Sequence, residues 1–115
     1  MKTYFARPIG RETPIKIGRS DSPWGRVYMD VRWGKERCEL IAVLEGDFEH
    51  RLHAKFADWH EGREWFTSND ELLAVIDAVT AGTFDTSDLP APRELGGGRY
   101  HKAKIGKFAK IGIAA

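Results

Sequence analysis

The chain has 115 residues, 18 of them basic and 17 acidic, with a formal net charge of +1 at pH 7 and 42% hydrophobic residues. That length suits one globular domain with a single core, and with so small a net charge it is the clustering of charge that bears on nucleic acid. A lone Cys38 excludes an internal disulfide and a cysteine-rich zinc site; with a polar N-terminus and no apolar run of bilayer length, it predicts a cytoplasmic, reducing setting without membrane contact.

Met1 to Ala6 reads as a short strand, and Pro8 to Pro14, with Gly10 between two prolines, as a hairpin connection to a second strand over Ile15 to Gly18. Asp21-Ser22-Pro23 is a helix start with proline at the first helical position, and the helix carries Trp24, Val27, Tyr28 and Val31 to an expected end at Gly34. Cys38 to Leu44 is apolar enough for a third, buried strand, which makes Cys38 structural. Gly46-Asp47 then turns the chain. Asp47 is the expected cap of a helix whose apolar face is Phe48, Leu52, Phe56 and Trp59. Glu49 and His53 fall four apart on a neighbouring stripe, one turn from each other.

After a break at Gly62 comes the short aromatic segment Glu64-Trp65-Phe66, whose rings are expected to close the core beneath the last helix. Ser68-Asn69-Asp70-Glu71 is the expected capping box of that helix, which runs through Val79 and buries Leu72, Leu73, Val75, Ile76 and Val79. The order β-β-α-β-α-(β)-α predicts an α+β fold, a small three-stranded, mostly antiparallel sheet flanked by about three helices, without a Gly-rich phosphate loop. Beyond Gly82 the composition shifts to Gly, Pro, Ala and Lys. The chain therefore divides into a folded unit over residues 1–80 and a linker with a basic tail over 81–115. The tail interleaves Arg93, Arg99, Lys102, Lys104, Lys107 and Lys110 with Tyr100, His101 and Phe108, and a Gly96-Gly97-Gly98 hinge separates Arg93 from the rest. Cations alternating with aromatics suit a DNA backbone, while a solubilising tail, an extra edge strand or an oligomer contact remains open.

These segments, in this order, resemble the GIY-YIG nuclease superfamily, and within it the phage and meiotic-gene branch whose second motif reads Lys-Ile-Gly. Thr3-Tyr4-Phe5 stands where the first motif belongs, keeping its tyrosine but lacking its glycine and isoleucine. Lys16-Ile17-Gly18-Arg19-Ser20 stands for the second, with Lys16 where many relatives carry tyrosine. Arg26 falls in the following helix and Glu49 in the helix after the third strand, and Leu52-His53, Phe56 and Glu64-Trp65-Phe66 match the branch signature. The resemblance covers roughly residues 2 to 79.

It implies a DNA endonuclease with one magnesium or manganese ion held by Glu49. Arg26 and Lys16 or Arg19 would neutralise the phosphate, Tyr4 would manage the proton of the attacking water, and His53 would assist. Arg19, with Arg99, Lys102, Lys104, Lys107 and Lys110, would contact DNA. One site cuts one strand, so double-strand cleavage calls for a homodimer or two successive nicks, and specificity in so small a chain is expected to be slight, supplied by a protein partner or gained by oligomerisation. Each residue also has a plainer reading: Glu49 as a solvated helix carboxylate, Arg26 as an i,i+4 surface partner of Asp30, Tyr4 as an ordinary strand tyrosine and His53 as a packed histidine. Strand alternation places Lys16 and Arg19 on opposite faces unless the strand bulges at Gly18. Trp24 and Trp33 are read as buried or as base-stacking platforms. His50 and His53 beside Glu49 offer a transition-metal pair, but without a His-Glu-x-x-His pattern a third ligand would have to come from elsewhere. A module of the same fold that binds nucleic acid or protein without turnover is the alternative function.

Overall fold

Alternation along the first strand sets the architecture. In the computed structural model, which describes residues 1–92, strand β1 (Lys2–Pro8) is paired along both edges, and apolar clusters cover both of its faces. Phe5 faces one apolar cluster and Tyr4 and Ala6 the other. Strand β2 (Ile15–Ser20) returns antiparallel with Tyr4 opposite Gly18 and Phe5 opposite Ile17. Helix α1 (Pro23–Asp30) follows, with Ser22 at its N-cap and the buried Pro23 opening the first turn.

The helix stops at Asp30, short of the expected Gly34, because Val31 is already extended and Arg32–Trp33 forms strand β3. Gly34, at φ +60°, instead opens a two-residue turn that pairs Trp33 with Glu36. Strand β4 (Glu36–Glu45) covers the expected third strand and lies antiparallel to β1, with a register shift between Phe5 and Ala6. Helix α2 (Glu49–Lys55) is followed by a 3-10 turn over Ala57–Trp59, strands β5 (His60–Gly62) and β6 (Trp65–Phe66), helix α3 (Asp70–Ala81) and a 3-10 turn over Thr86–Asp88.

The α+β class is as expected, but the described residues contain six strands rather than three, in the order β3-β4-β1-β2-β6-β5. Of the three added strands, β6 answers the bracketed strand of the expected order, whereas β3 and β5 had no counterpart in it; each has only two or three residues, too few to show alternation in sequence. One face of the sheet packs Phe5, Ile15, Ile17 and Phe66 against Leu52 and Phe56 from around α2 and Leu72, Val75, Ile76 and Val79 of α3. The other packs Tyr4, Ala6 and the buried thiol Cys38 against Val27 and Val31. Each large side chain buried here contributes roughly 1.5–3 kcal/mol.

Four finer expectations are corrected. Asp47 does not cap α2: its carboxylate accepts a 2.7 Å hydrogen bond from Arg19, and the N-cap is Phe48 without a side-chain bond. Asn69 rather than Ser68 caps α3, its Oδ1 accepting from the Leu72 amide at 2.9 Å. Leu73 is exposed, because it lies off the stripe formed by Leu72, Val75, Ile76 and Val79. Trp65 packs on the α1 side of the sheet while its neighbour Phe66 packs under α3, as alternation in a strand requires. Gly82 ends α3 in the left-handed conformation, and Leu89 beyond it still packs into the core.

Candidate active site

The site lies where one edge of β2 runs out of strand partners. Strand β6 pairs only with Ile15 and Lys16. One residue further on, the Ile17 amide donates to the Glu64 carbonyl at 3.0 Å, and the Ile17 carbonyl accepts at 2.8 Å from Nε2 of His53. A turn and a side chain thus take over from the missing strand, and they bring Glu64 and α2 to the same edge.

Thr3 fixes the start of α2. Its hydroxyl donates to the Gly46 carbonyl and accepts from the Phe48 amide, both at 2.8 Å, immediately before Glu49. Gly46, at φ +101°, has no room for a side chain, since an added Cβ would lie 2.5 Å from the Phe48 ring. Glu49 is thereby buried, with only 6% of its surface exposed. Loss of water first, and the neighbouring Glu64 carboxylate second, push its pKa up to about 7, with Arg19 and Lys16 pulling against them. His53 is buried as well, and desolvation lowers it to about 4, so the ring is neutral at pH 7. A carbonyl oxygen can only accept, so Nε2 of His53 carries the hydrogen and Nδ1 the lone pair.

Tyr4 crosses directly over Gly18 of the neighbouring strand. A Cβ at Gly18 would lie 2.5 Å from Cζ and 2.6 Å from the hydroxyl oxygen of Tyr4, so the glycine of the Lys-Ile-Gly motif is the slot through which the phenol reaches the site. Burial and the Glu64 carboxylate push Tyr4 up to about 12, with Arg26 opposing and Glu49 adding to the rise. Lys16 and Arg19 lie on opposite faces, as alternation predicts, for the β1–β2 register runs unbroken through Gly18. Lys16 stands 3.6 Å from a Glu64 carboxylate oxygen and 5.9 Å from the centroid of a Trp65 ring. Arg19 donates to Asp47. Arg26 is exposed and 3.9 Å from Asp30, the i,i+4 pairing anticipated as its alternative, although its charge reaches Tyr4. Trp24 is 60% exposed, whereas Trp33 is partly buried beneath the Arg11 guanidinium.

Tyr4, Lys16, Arg19, Glu49, His53 and Glu64 therefore gather along β2, from several separate stretches of chain. Comparison with protein-family models, with curated proteins and with solved structures returned no match. Among the described residues no helix is long and apolar enough to cross a membrane. Arg93, Arg99, Lys102, Lys104, Lys107 and Lys110 lie outside the described residues.

Sequence reasoning gave Thr3 no structural role and left the metal ligands incomplete. Thr3 carried no signal beyond a hydroxyl in an apolar strand. His50 was visible as the neighbour of Glu49, but only the helix geometry joins both histidines and the carboxylate into one group. One ligand atom from each of Glu49, His50 and His53 lies within 4.8 Å of the others.

Proposed function

We propose that the chain is a small divalent-metal-dependent endonuclease that hydrolyses DNA phosphodiester bonds through a single-metal site. The observation that carries this reading is the gathering of Tyr4, Lys16, Arg19, Glu49 and Glu64 at the open edge of β2. Four of these belong to the set that the resemblance to the GIY-YIG superfamily implies; Glu64 is added, and Arg26 of that set lies apart against Asp30.

Glu49 would hold the cation. Its raised pKa means that a bound divalent ion would take the place of a proton already favoured there, which suits a carboxylate that is costly to leave charged and alone. Bound there, the ion supplies Lewis acidity at the phosphoryl oxygen and a more acidic water. Lys16 and Arg19, set on opposite faces of β2, would flank the phosphate and neutralise its equatorial oxygens, and both must exchange a carboxylate partner for it. Arg26 would swing from the exposed Asp30 to the phosphate, where its planar guanidinium gives paired hydrogen bonds.

Tyr4, at about 12, keeps its proton at neutral pH, so it acts as a hydrogen-bond donor and relay to water; a bound cation is what would bring it within reach of acting as a base. His53 is neutral and its Nε2 proton is committed to Ile17, which suits positioning rather than acid catalysis. The DNA-binding tail would add affinity that does not depend on sequence.

A plasmid-nicking assay with Mg²⁺ or Mn²⁺ tests the reading. Nicking is expected for the wild type and lost both in Glu49→Ala and in EDTA. A folded, DNA-binding wild type that never nicks would assign the chain to the other class, a binding module without turnover, for which the deep burial of Tyr4 is the favouring observation.

A further inference from the structure

We propose that Glu49, His50 and His53 form a three-ligand site that takes a divalent transition-metal ion of the Mn²⁺ to Zn²⁺ series in preference to Mg²⁺. The inference rests on the nuclease reading for the role of the ion, but its chemistry stands on these three side chains alone.

Positions i, i+1 and i+4 of one helix turn form a triangle, since i and i+4 are stacked and i+1 lies three residues before i+4. In α2 this brings one carboxylate oxygen and one nitrogen from each imidazole to within 4.8 Å of one another. The two imidazole centroids are 6.0 Å apart at an interplanar angle of 85°, so the rings meet at a corner rather than stacking. Donors each ~2.1 Å from a common ion sit roughly 3.0–3.4 Å apart, a contraction that small side-chain rotations on a fixed helix provide.

Each member is prepared for the role. Nδ1 of His50 is buried, lacks a hydrogen-bond partner and lies 3.6 Å from Oε1 of Glu49, so an unsatisfied nitrogen faces the carboxylate. In His53 the Nε2–H donates to the Ile17 carbonyl at 2.8 Å, and this fixes the tautomer in which Nδ1 has the lone pair. Backbone carbonyls commonly orient metal-bound histidines in this way. Glu49 is held at the head of α2 by the Thr3-bound loop that precedes it.

The donor set decides the class of ion. Magnesium prefers oxygen ligands and retains its water, whereas imidazole nitrogens favour the later first-row ions. One carboxylate and two imidazoles on a single turn leave the remaining positions open to water and to a phosphate oxygen.

The test is titration of the full chain with Co²⁺, followed by visible absorption and calorimetry, and repeated in the presence of excess Mg²⁺. Co²⁺ is expected to bind one ion per chain with the spectrum of nitrogen ligation and to resist displacement by Mg²⁺. His50→Ala and Glu49→Gln are each expected to weaken binding by at least about tenfold. His50 is partly exposed, so His50→Ala is expected to retain the fold, with circular dichroism as the control. Binding unaffected by His50→Ala, or ready displacement of Co²⁺ by Mg²⁺, would overturn the three-ligand assignment. A protein that binds Co²⁺ through these residues yet never nicks DNA would end the nuclease reading and leave the metal site standing.

Discussion

Gly18 and Tyr4 are a matched pair. The glycine is buried not for flexibility but because the phenol occupies the space a side chain would need. Gly18→Ala must move either the Tyr4 ring or the β1–β2 register. A destabilisation of about 1–3 kcal/mol is expected, as for overpacking elsewhere, and denaturant unfolding measures it. Glu49 and His53 make a second test at this scale, because burial shifts them in opposite senses. Glu49 holds its proton in the folded state up to about pH 7, against 4.5 ordinarily, so its contribution to stability declines as pH rises through that window. His53 refuses its proton in the folded state down to about pH 4, against 6.5, so its contribution declines as pH falls. Each amounts to about 3 kcal/mol at 1.36 kcal/mol per pH unit. In metal-free solution the two slopes oppose each other across the overlap of their windows. Stability measured by denaturant at a series of pH values is therefore expected to be flat there in the wild type, to fall with rising pH in His53→Gln, and to fall on acidification in Glu49→Gln. Variant profiles parallel to the wild type would contradict the burial of these groups.

At the scale of elements, the polar signals at helix starts were legible, but their assignment to a particular residue was not. Ser68, Asn69 and Asp70 are all competent caps by type, and only the backbone turn preceding α3 decides that Asn69 presents its side chain to the Leu72 amide. Asn69→Ala is expected to cost about 1 kcal/mol of stability and Ser68→Ala close to nothing, as thermal or denaturant unfolding would show. Asp47 was an equally good cap by type. Arg19, 28 residues away in sequence, claims its carboxylate, and Thr3 holds the entry to α2 instead. A local motif could not foresee either, because both partners come from β1 and β2. The reach of α1 was overstated for a similar reason: Gly34 marks a stop, but the stop belongs to the β3–β4 hairpin rather than to the helix.

For the whole molecule, the sheet order puts β1 near the centre and leaves the far end of β2 open beyond β6, and this opening is where charged groups from β2, α2 and the β5–β6 turn meet. In the proposed function the basic tail enters at this scale, where it would be a source of affinity separate from the site. Replacing Lys102, Lys104, Lys107 and Lys110 with glutamine is expected to weaken DNA binding uniformly across sequences. The slope of log affinity against log salt should fall by about 0.9 for each phosphate that is no longer neutralised. Binding measured at several ionic strengths checks this, and an unchanged slope would remove the tail from the DNA interface.

The sequence by itself determined the α+β class, the positions of the long strands and helices, the opposite faces of Lys16 and Arg19, and the i,i+4 relation of Glu49 to His53. Those follow from periodicity and cap chemistry, which act over a few residues. Tertiary structure alone decided that Tyr4 lies over Gly18, that His53 Nε2 donates to the Ile17 carbonyl, and that His50 turns a buried nitrogen toward Glu49. Hydrogen bonds and desolvation depend on which atoms meet across the sheet edge, and that is set by strand order and register, to which no local pattern refers.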